Sequence, residues 1–154
     1  MLANMIRKGL EMAKLYQYPQ PATSFSFYEA ELVPFSPTQS AMCLLYGKTR
    51  LVYNVNFQSV TNGTYFNFSR NGSFTRENYV ASPWFEDQTI EDYSSLSLDE
   101  AVKLVLSQYP DTHFTFATLR KALQPGIYIP SFYLGSTKGI NFRVDFRGNV
   151  SIVQ

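Results

Sequence analysis

His113 is the only imidazole in the chain, and an imidazole is the side chain best suited to acid–base work near neutral pH. It lies in an alternating stretch where Phe114 and Phe116 take the other face, and no nucleophile accompanies it in a recognisable motif, so it reads as a surface or cross-strand histidine. Glu29/Glu31 and Glu86/Asp87 are carboxylate pairs of the kind that divide acid and base roles across a cleft. The first falls on a solvated strand edge and the second in a connector, where charged side chains ordinarily face water. Gly135-Ser136-Thr137-Lys138-Gly139 has the residue types of a phosphate loop, but it lacks the Walker spacing and precedes a strand rather than a helix, which makes it a hairpin turn. The single cysteine, Cys43, sits in the apolar run Ala41-Met42-Cys43-Leu44-Leu45 as a small buried hydrophobe. One Cys and one His exclude an internal disulfide and supply no zinc set. No catalytic residue, metal site or cofactor is assigned, and the chain reads as non-enzymatic.

The elements that must hold these residues come in two similar sets. Leu15-Tyr16-Gln17-Tyr18-Pro19 returns as Leu106-Ser107-Gln108-Tyr109-Pro110, and Thr23-Ser24-Phe25-Ser26-Phe27 as Thr112-His113-Phe114-Thr115-Phe116. Tyr53-Asn54-Val55-Asn56-Phe57 returns as Phe142-Arg143-Val144-Asp145-Phe146. The spacing is about 90 residues each time, and three matches in one order imply a helix-plus-sheet unit used twice.

In the first set, Leu2, Met5, Ile6, Gly9, Leu10 and Ala13 form one helical stripe that Pro19 and Pro21 forbid from continuing, which predicts a helix over roughly residues 2–17. Ser24 to Val33 alternates as a strand, with Phe25 and Phe27 on one face and Ser24, Ser26 and Tyr28 on the other. Met42–Tyr46 and Leu51–Gln58 flank Gly47-Lys48-Thr49-Arg50 as a hairpin. Asn62-Gly63 and Asn71-Gly72 bracket a strand over Thr64–Arg70, because Asn-Gly supplies the positive φ that type I′ turns need.

Between Ala81 and Leu96 the periodicity disappears. Ser97-Leu98-Asp99-Glu100 is then a capping box, and Leu98, Ala101, Val102, Val105, Leu106 and Tyr109 keep helical spacing until Pro110. Strands are expected at about 112–119, 127–134, 140–146 and 149–153. The organisation is a first unit over 1–80, a connector over 81–95 and a second unit over 96–154. The fold class is α+β, two helix-plus-antiparallel-meander units in tandem. Tyr53/Val55/Phe57 and Phe142/Val144/Phe146 should face the helices.

Composition limits what such a chain does. With 45% hydrophobic and 16% charged residues, 13 Phe and 11 Tyr, it is folded and leans towards sheet. Thirteen basic against 12 acidic residues leave a net charge of +1, too little to hold a phosphate backbone, so nucleic acid is not the expected partner. Arg120-Lys121, Lys138, Arg143 and Arg147 give the second unit a mild basic bias, and residues 86–100 are acidic; both read as solvated faces. Arg7, Lys8, Glu11 and Lys14 interrupt the N-terminal apolar residues too soon for a signal peptide or membrane span. The expected location is extracytoplasmic or the cell envelope if a leader or anchor has been removed, and cytoplasmic otherwise. Asn62, Asn67, Asn71 and Asn149 all head N-glycosylation sequons, but turn chemistry accounts for three of the four.

A helix of the form Leu-Ser-Leu-Asp-Glu-Ala-Val, then Tyr-Pro-Asp, an extended segment, and a hairpin ending Phe-Arg-Val-Asp-Phe-Arg-Gly-Asn-Val resembles the PepSY-type unit. Two in series resemble the β-lactamase-inhibitor-like architecture. Ile127-Tyr128-Ile129-Pro130-Ser131-Phe132-Tyr133 followed by Phe142-Arg143-Val144-Asp145 is also similar to the closing hairpin of the YycH/YycI regulators, extracytoplasmic partners of a cell-wall sensor kinase. The resemblance covers residues 96–154 directly and 2–80 through the internal repeat. Ser131-Phe132 stands where that hairpin usually carries a Trp after the Pro. These families act by binding other proteins, so the resemblance implies a regulator or inhibitor whose partner is a sensor kinase, protease or toxin.

The binding surface expected from the alternation is the sheet face without helices, presenting Tyr28, Asn54, Asn56, Tyr65, Tyr128, Arg143 and Asp145, residue types suited to protein contacts. Trp84 in the connector either joins the seam between units or touches the partner. A second reading is a small ligand or peptide held in a cavity between helix and sheet. A third is a winged helix over residues 98–153 that binds nucleic acid, with residues 115–121 as recognition helix.

Overall fold

The computed structural model describes residues 2–15, 22–32, 47–55, 61–68, 74–81, 88 and 90–153. Helix α1 (Leu2–Leu15) is followed by strands β1 (Ala22–Leu32), β2 (Gly47–Val55), β3 (Thr61–Phe68) and β4 (Phe74–Ala81). Helix α2 (Leu98–Gln108) is followed by β5 (Phe114–Arg120), β6 (Ser131–Ser136), β7 (Asn141–Asp145) and β8 (Val150–Val153). The strands form one eight-stranded sheet in the order β4-β3-β2-β1-β5-β6-β7-β8. Every pairing in it is antiparallel. The protein is therefore an α+β fold.

The sheet is continuous because β1 pairs with β5. Ala30 lies opposite Leu119 and Leu32 opposite Ala117, and all four side chains are buried. Leu2 and Ile6 of α1 and Leu98, Ala101, Val102 and Val105 of α2 share one apolar cluster with Phe27, Phe132, Leu134, Phe142 and Val144. Both helices thus cover the same face of the sheet, and the opposite face carries no helix among the described residues. Ser97 starts α2 as the sequence requires, its Oγ accepting from the Glu100 amide at 3.1 Å. The Glu100 carboxylate accepts from the Ser97 hydroxyl at 3.1 Å rather than reaching the Ser97 amide.

The described part of the connector is fastened to both halves. Ile90 is buried and its amide donates to Phe27 O at 2.7 Å. The Gln88 amide donates to Lys121 O, and its side-chain amide to the carbonyls of Ala122 and Ile127, each at 2.9 Å. Tyr93 meets Phe27 edge-on at 5.8 Å. Aperiodic sequence here is ordered by backbone carbonyls that the flanking elements leave open.

Several local expectations are corrected. Gly47 to Arg50 is no turn; it opens β2, where Lys48 and Arg50 lie opposite Glu31 and Glu29 of β1. Asn62 and Gly63 are interior to β3, paired on both sides, so two-sided strand pairing overrides their turn preference. The Ile127–Leu134 strand begins only at Ser131, because Gly126 at φ +86° turns the chain and the amide of Ile127 bonds back to Gln124 O. The winged helix over 98–153 is excluded: residues 114–120 are β5, with Phe116 opposite Gly135 and Leu119 opposite Phe132. Alternating burial of Ala117 and Leu119 fits a strand facing a core, not a recognition helix.

Candidate functional site

The helix-free face is organised by β5, β6 and β7. Phe132, Leu134, Phe142 and Val144 point into the core, so the alternate positions Ser131, Tyr133, Arg143 and Asp145 belong to the other face. Register sets them in rows across the strands. Arg120 lies opposite Ser131 and Ser131 opposite Asp145; Thr118 lies opposite Tyr133 and Tyr133 opposite Arg143. The rows continue into the first half, with Glu29 opposite Arg120 and Arg50, and Arg50 opposite Tyr65. Arg50, Glu29 and Arg120 are thus consecutive positions of alternating charge across the junction, flanked by Tyr65 and Ser131, a pattern suited to a polar surface rather than a second core.

Within this face, Arg143 is fixed by a diagonal contact. Its Nε donates to Ser131 Oγ at 3.0 Å, and Ser131 is 1% exposed. Nε is the only guanidinium nitrogen of Arg143 with a hydrogen-bond partner among the described residues, and the terminal pair of nitrogens makes a planar fork of the kind that matches a carboxylate. Arg120 adds a second planar cation, its Cζ 5.4 Å from the centre of the Tyr133 ring. One row further along, Phe116 covers Gly135: a Cβ on Gly135 would overlap the Phe116 ring. A bulge between Phe114 and Phe116 separates these rings, so Phe114 is buried in the core while Phe116 crosses to the other face. The two do not share one face as the alternation alone suggests.

Asp145 occupies this face but its oxygens serve the chain itself. Oδ1 accepts from the amides of Arg147 and Asn149 at 2.9 and 3.0 Å, and Oδ2 from the Asn149 side chain at 3.0 Å. Burial alone pushes its carboxyl up; the hydrogen bonds from Asn149 and Arg147 and the charge of Arg143 outweigh that and hold it below the usual 3.8. Asp145 therefore closes the β7–β8 turn, which Gly148 completes at φ +87°, and helps orient Arg143.

The other expected site residues fall in different places. Tyr65 and Asn54 lie in β3 and β2 at positions fixed by register, Asn54 opposite Thr61. Tyr28 sits at the irregularity of β1 between Phe27 and Glu29. Tyr128 is off the sheet: it precedes β6 and is 79% exposed. Asn56 and Trp84 lie outside the described residues, as do Cys43, Glu86 and Asp87. Glu29 and Glu31 stand opposite Arg50 and Lys48 in the sheet register. Among the described residues no three His, Cys, Asp or Glu side chains gather at one point.

No family model, curated protein or solved structure matches the chain. Among the described residues no helix is long and apolar enough to cross a membrane.

A feature that the strand alternation does not disclose is a cleft where the end of α2 meets the β6–β7 turn. Its volume is about 260 Å³. Phe142 and Tyr109 floor it, their rings 5.0 Å apart and tilted by 46°. Its two lips, the chain leaving α2 and the β6–β7 turn, are joined by the Thr137 amide donating to His113 O at 2.9 Å. His113 is exposed at this lip, just ahead of β5 rather than within it. The signal in the sequence was the Gln-Tyr-Pro pattern at residues 108–110, which lines the cleft.

Proposed function

We propose that the protein is a non-enzymatic binding module with a regulatory or inhibitory role, which engages a partner protein through the helix-free face of its sheet. Arg143 carries the reading. A guanidinium already anchored through Nε to Ser131 loses little freedom on meeting a partner and keeps its fork for a carboxylate. Tyr133 with Arg120 against its ring supplies the aromatic–arginine pairing on which interfaces commonly depend. The partner chemistry that fits is an acidic side chain placed beside an aromatic or aliphatic contact. The helix-then-four-strands order that occurs on each side of the β1–β5 junction, together with the repeated sequence patterns, supports descent from one PepSY-like unit used twice, as in β-lactamase-inhibitor-like proteins. A photo-crosslinking residue placed at Tyr133 should capture the partner in cells, whereas one at Lys103, exposed on α2, should not. Capture from Lys103 alone would refute the sheet-face reading.

The cleft floored by Tyr109 and Phe142 supports a second reading, that the protein also holds a small ligand. It is an apolar hollow with polar groups around its mouth, the arrangement typical of ligand sites.

A further inference from the structure

The cleft has lips of opposite charge. Asp111 stands on the lip that leaves α2, and Lys138 on the β6–β7 turn, with His113 beside the joint between them. Among the described residues, none of these three side chains has a hydrogen bond or ion pair. That is unlike the other turn aspartates: Asp92 accepts from the amides of Ser94 and Ser95, and Asp145 from those of Arg147 and Asn149. At the α2–β5 turn the corresponding work is done by Thr112, whose hydroxyl and amide both bond Tyr109 O, so the Asp111 carboxylate is left uncommitted. Between the lips lies an aromatic floor, and Ile140, 40% exposed, extends it.

Resting on the reading of this cleft as a ligand site, we propose that it binds a free α-amino acid with an aromatic or large aliphatic side chain. The ammonium meets Asp111, the carboxylate meets Lys138 with His113 close by, and the side chain lies on Tyr109 and Phe142. Size agrees with this class. A hollow of about 260 Å³ is smaller than the ~300–1,000 Å³ that drug-sized ligands occupy, and suits one residue-sized molecule rather than a folded segment. Charge agrees as well, since a purely anionic ligand would face Asp111 and a purely cationic one Lys138.

The test titrates the intact chain with L-phenylalanine, N-acetyl-L-phenylalanine, L-phenylalaninamide and the doubly blocked N-acetyl-L-phenylalaninamide, following the His113 ring and Thr137 amide by NMR. L-phenylalanine should saturate these signals by about 10 mM, and each singly blocked form should bind about fivefold more weakly, the scale of one exposed ion pair. Lys138→Gln should weaken L-phenylalanine but leave L-phenylalaninamide unchanged, and Asp111→Asn should weaken L-phenylalanine but leave the acetylated form unchanged. Both residues are exposed and make no side-chain hydrogen bond or ion pair among the described residues, so neither variant should alter the fold. Equal binding of L-phenylalanine and the doubly blocked compound would overturn the amino-acid assignment while keeping a ligand site. No saturable shift with any of the four would overturn both.

Discussion

Arg143 Nε donates to Ser131 Oγ at 3.0 Å across the β6–β7 pair, and the serine is 1% exposed. The contact is diagonal, since Ser131 itself lies opposite Asp145. It therefore ties together two rows of the outer face and sets the direction of the guanidinium. Replacing Ser131 by Ala removes a buried hydroxyl and its bond, and should lower stability in urea by about 1 kcal/mol. Partner affinity should fall as well, because Arg143 would regain side-chain freedom.

Gly135 and Phe116 are matched in the same way by shape. Because a Cβ at Gly135 would overlap the Phe116 ring, Gly135→Ala should cost about 1–3 kcal/mol through displacement of that ring. Most of this cost should vanish when Phe116 is already Ala, so the double-mutant cycle in urea should be strongly non-additive. An additive pair would show that the ring does not lie over the glycine.

Acid should act through Asp145. Its folded-state carboxyl lies below 3.8, so the stabilisation is present at neutral pH and is lost as the pH falls through the lowered value. Asp145→Asn should cost about 1–2 kcal/mol at pH 7, from the charge-assisted bonds to the turn amides. The gap between variant and wild type should close once the pH is well below 3.8. Asp92, lowered by the bonds from the Ser95 hydroxyl and Ser94 amide, adds a loss of the same sign in the same pH range.

Ser97→Ala should cost about 1 kcal/mol by removing the N-cap of α2. Ser97→Asp should recover most of it, since a carboxylate can accept from the same Glu100 amide.

Much of the second half was legible because its signals are local. The Ser97 cap, the stripe from Leu98 to Val105 and the alternation through Phe142 and Val144 each fix their own element, and each is buried or capped as expected. What failed were positions where pairing from both sides competes with a turn preference, at Gly47–Arg50 and Asn62-Gly63, and the strand expected from Ile127, which the turn at Gly126 delays to Ser131 and so leaves Tyr128 off the sheet. The bulge at Phe114/Phe116 was likewise invisible, since one extra residue inverts the faces without altering composition. Arg143 was legible as a face residue, but its tie to Ser131 depends on inter-strand register that no single strand specifies. The cleft required two turns distant in sequence to meet, which only the folded chain brings about.

The most direct test of the sheet-face reading is the affinity of the captured partner for Arg143→Glu, measured by calorimetry beside wild type and Lys103→Glu. Reversing the charge at the fork should weaken binding at least about 30-fold, roughly 2 kcal/mol, and leave the fold intact, while Lys103→Glu on the helix face should bind as wild type does. Undiminished binding by Arg143→Glu, with binding lost in Lys103→Glu, would contradict it and move the working surface to the helices.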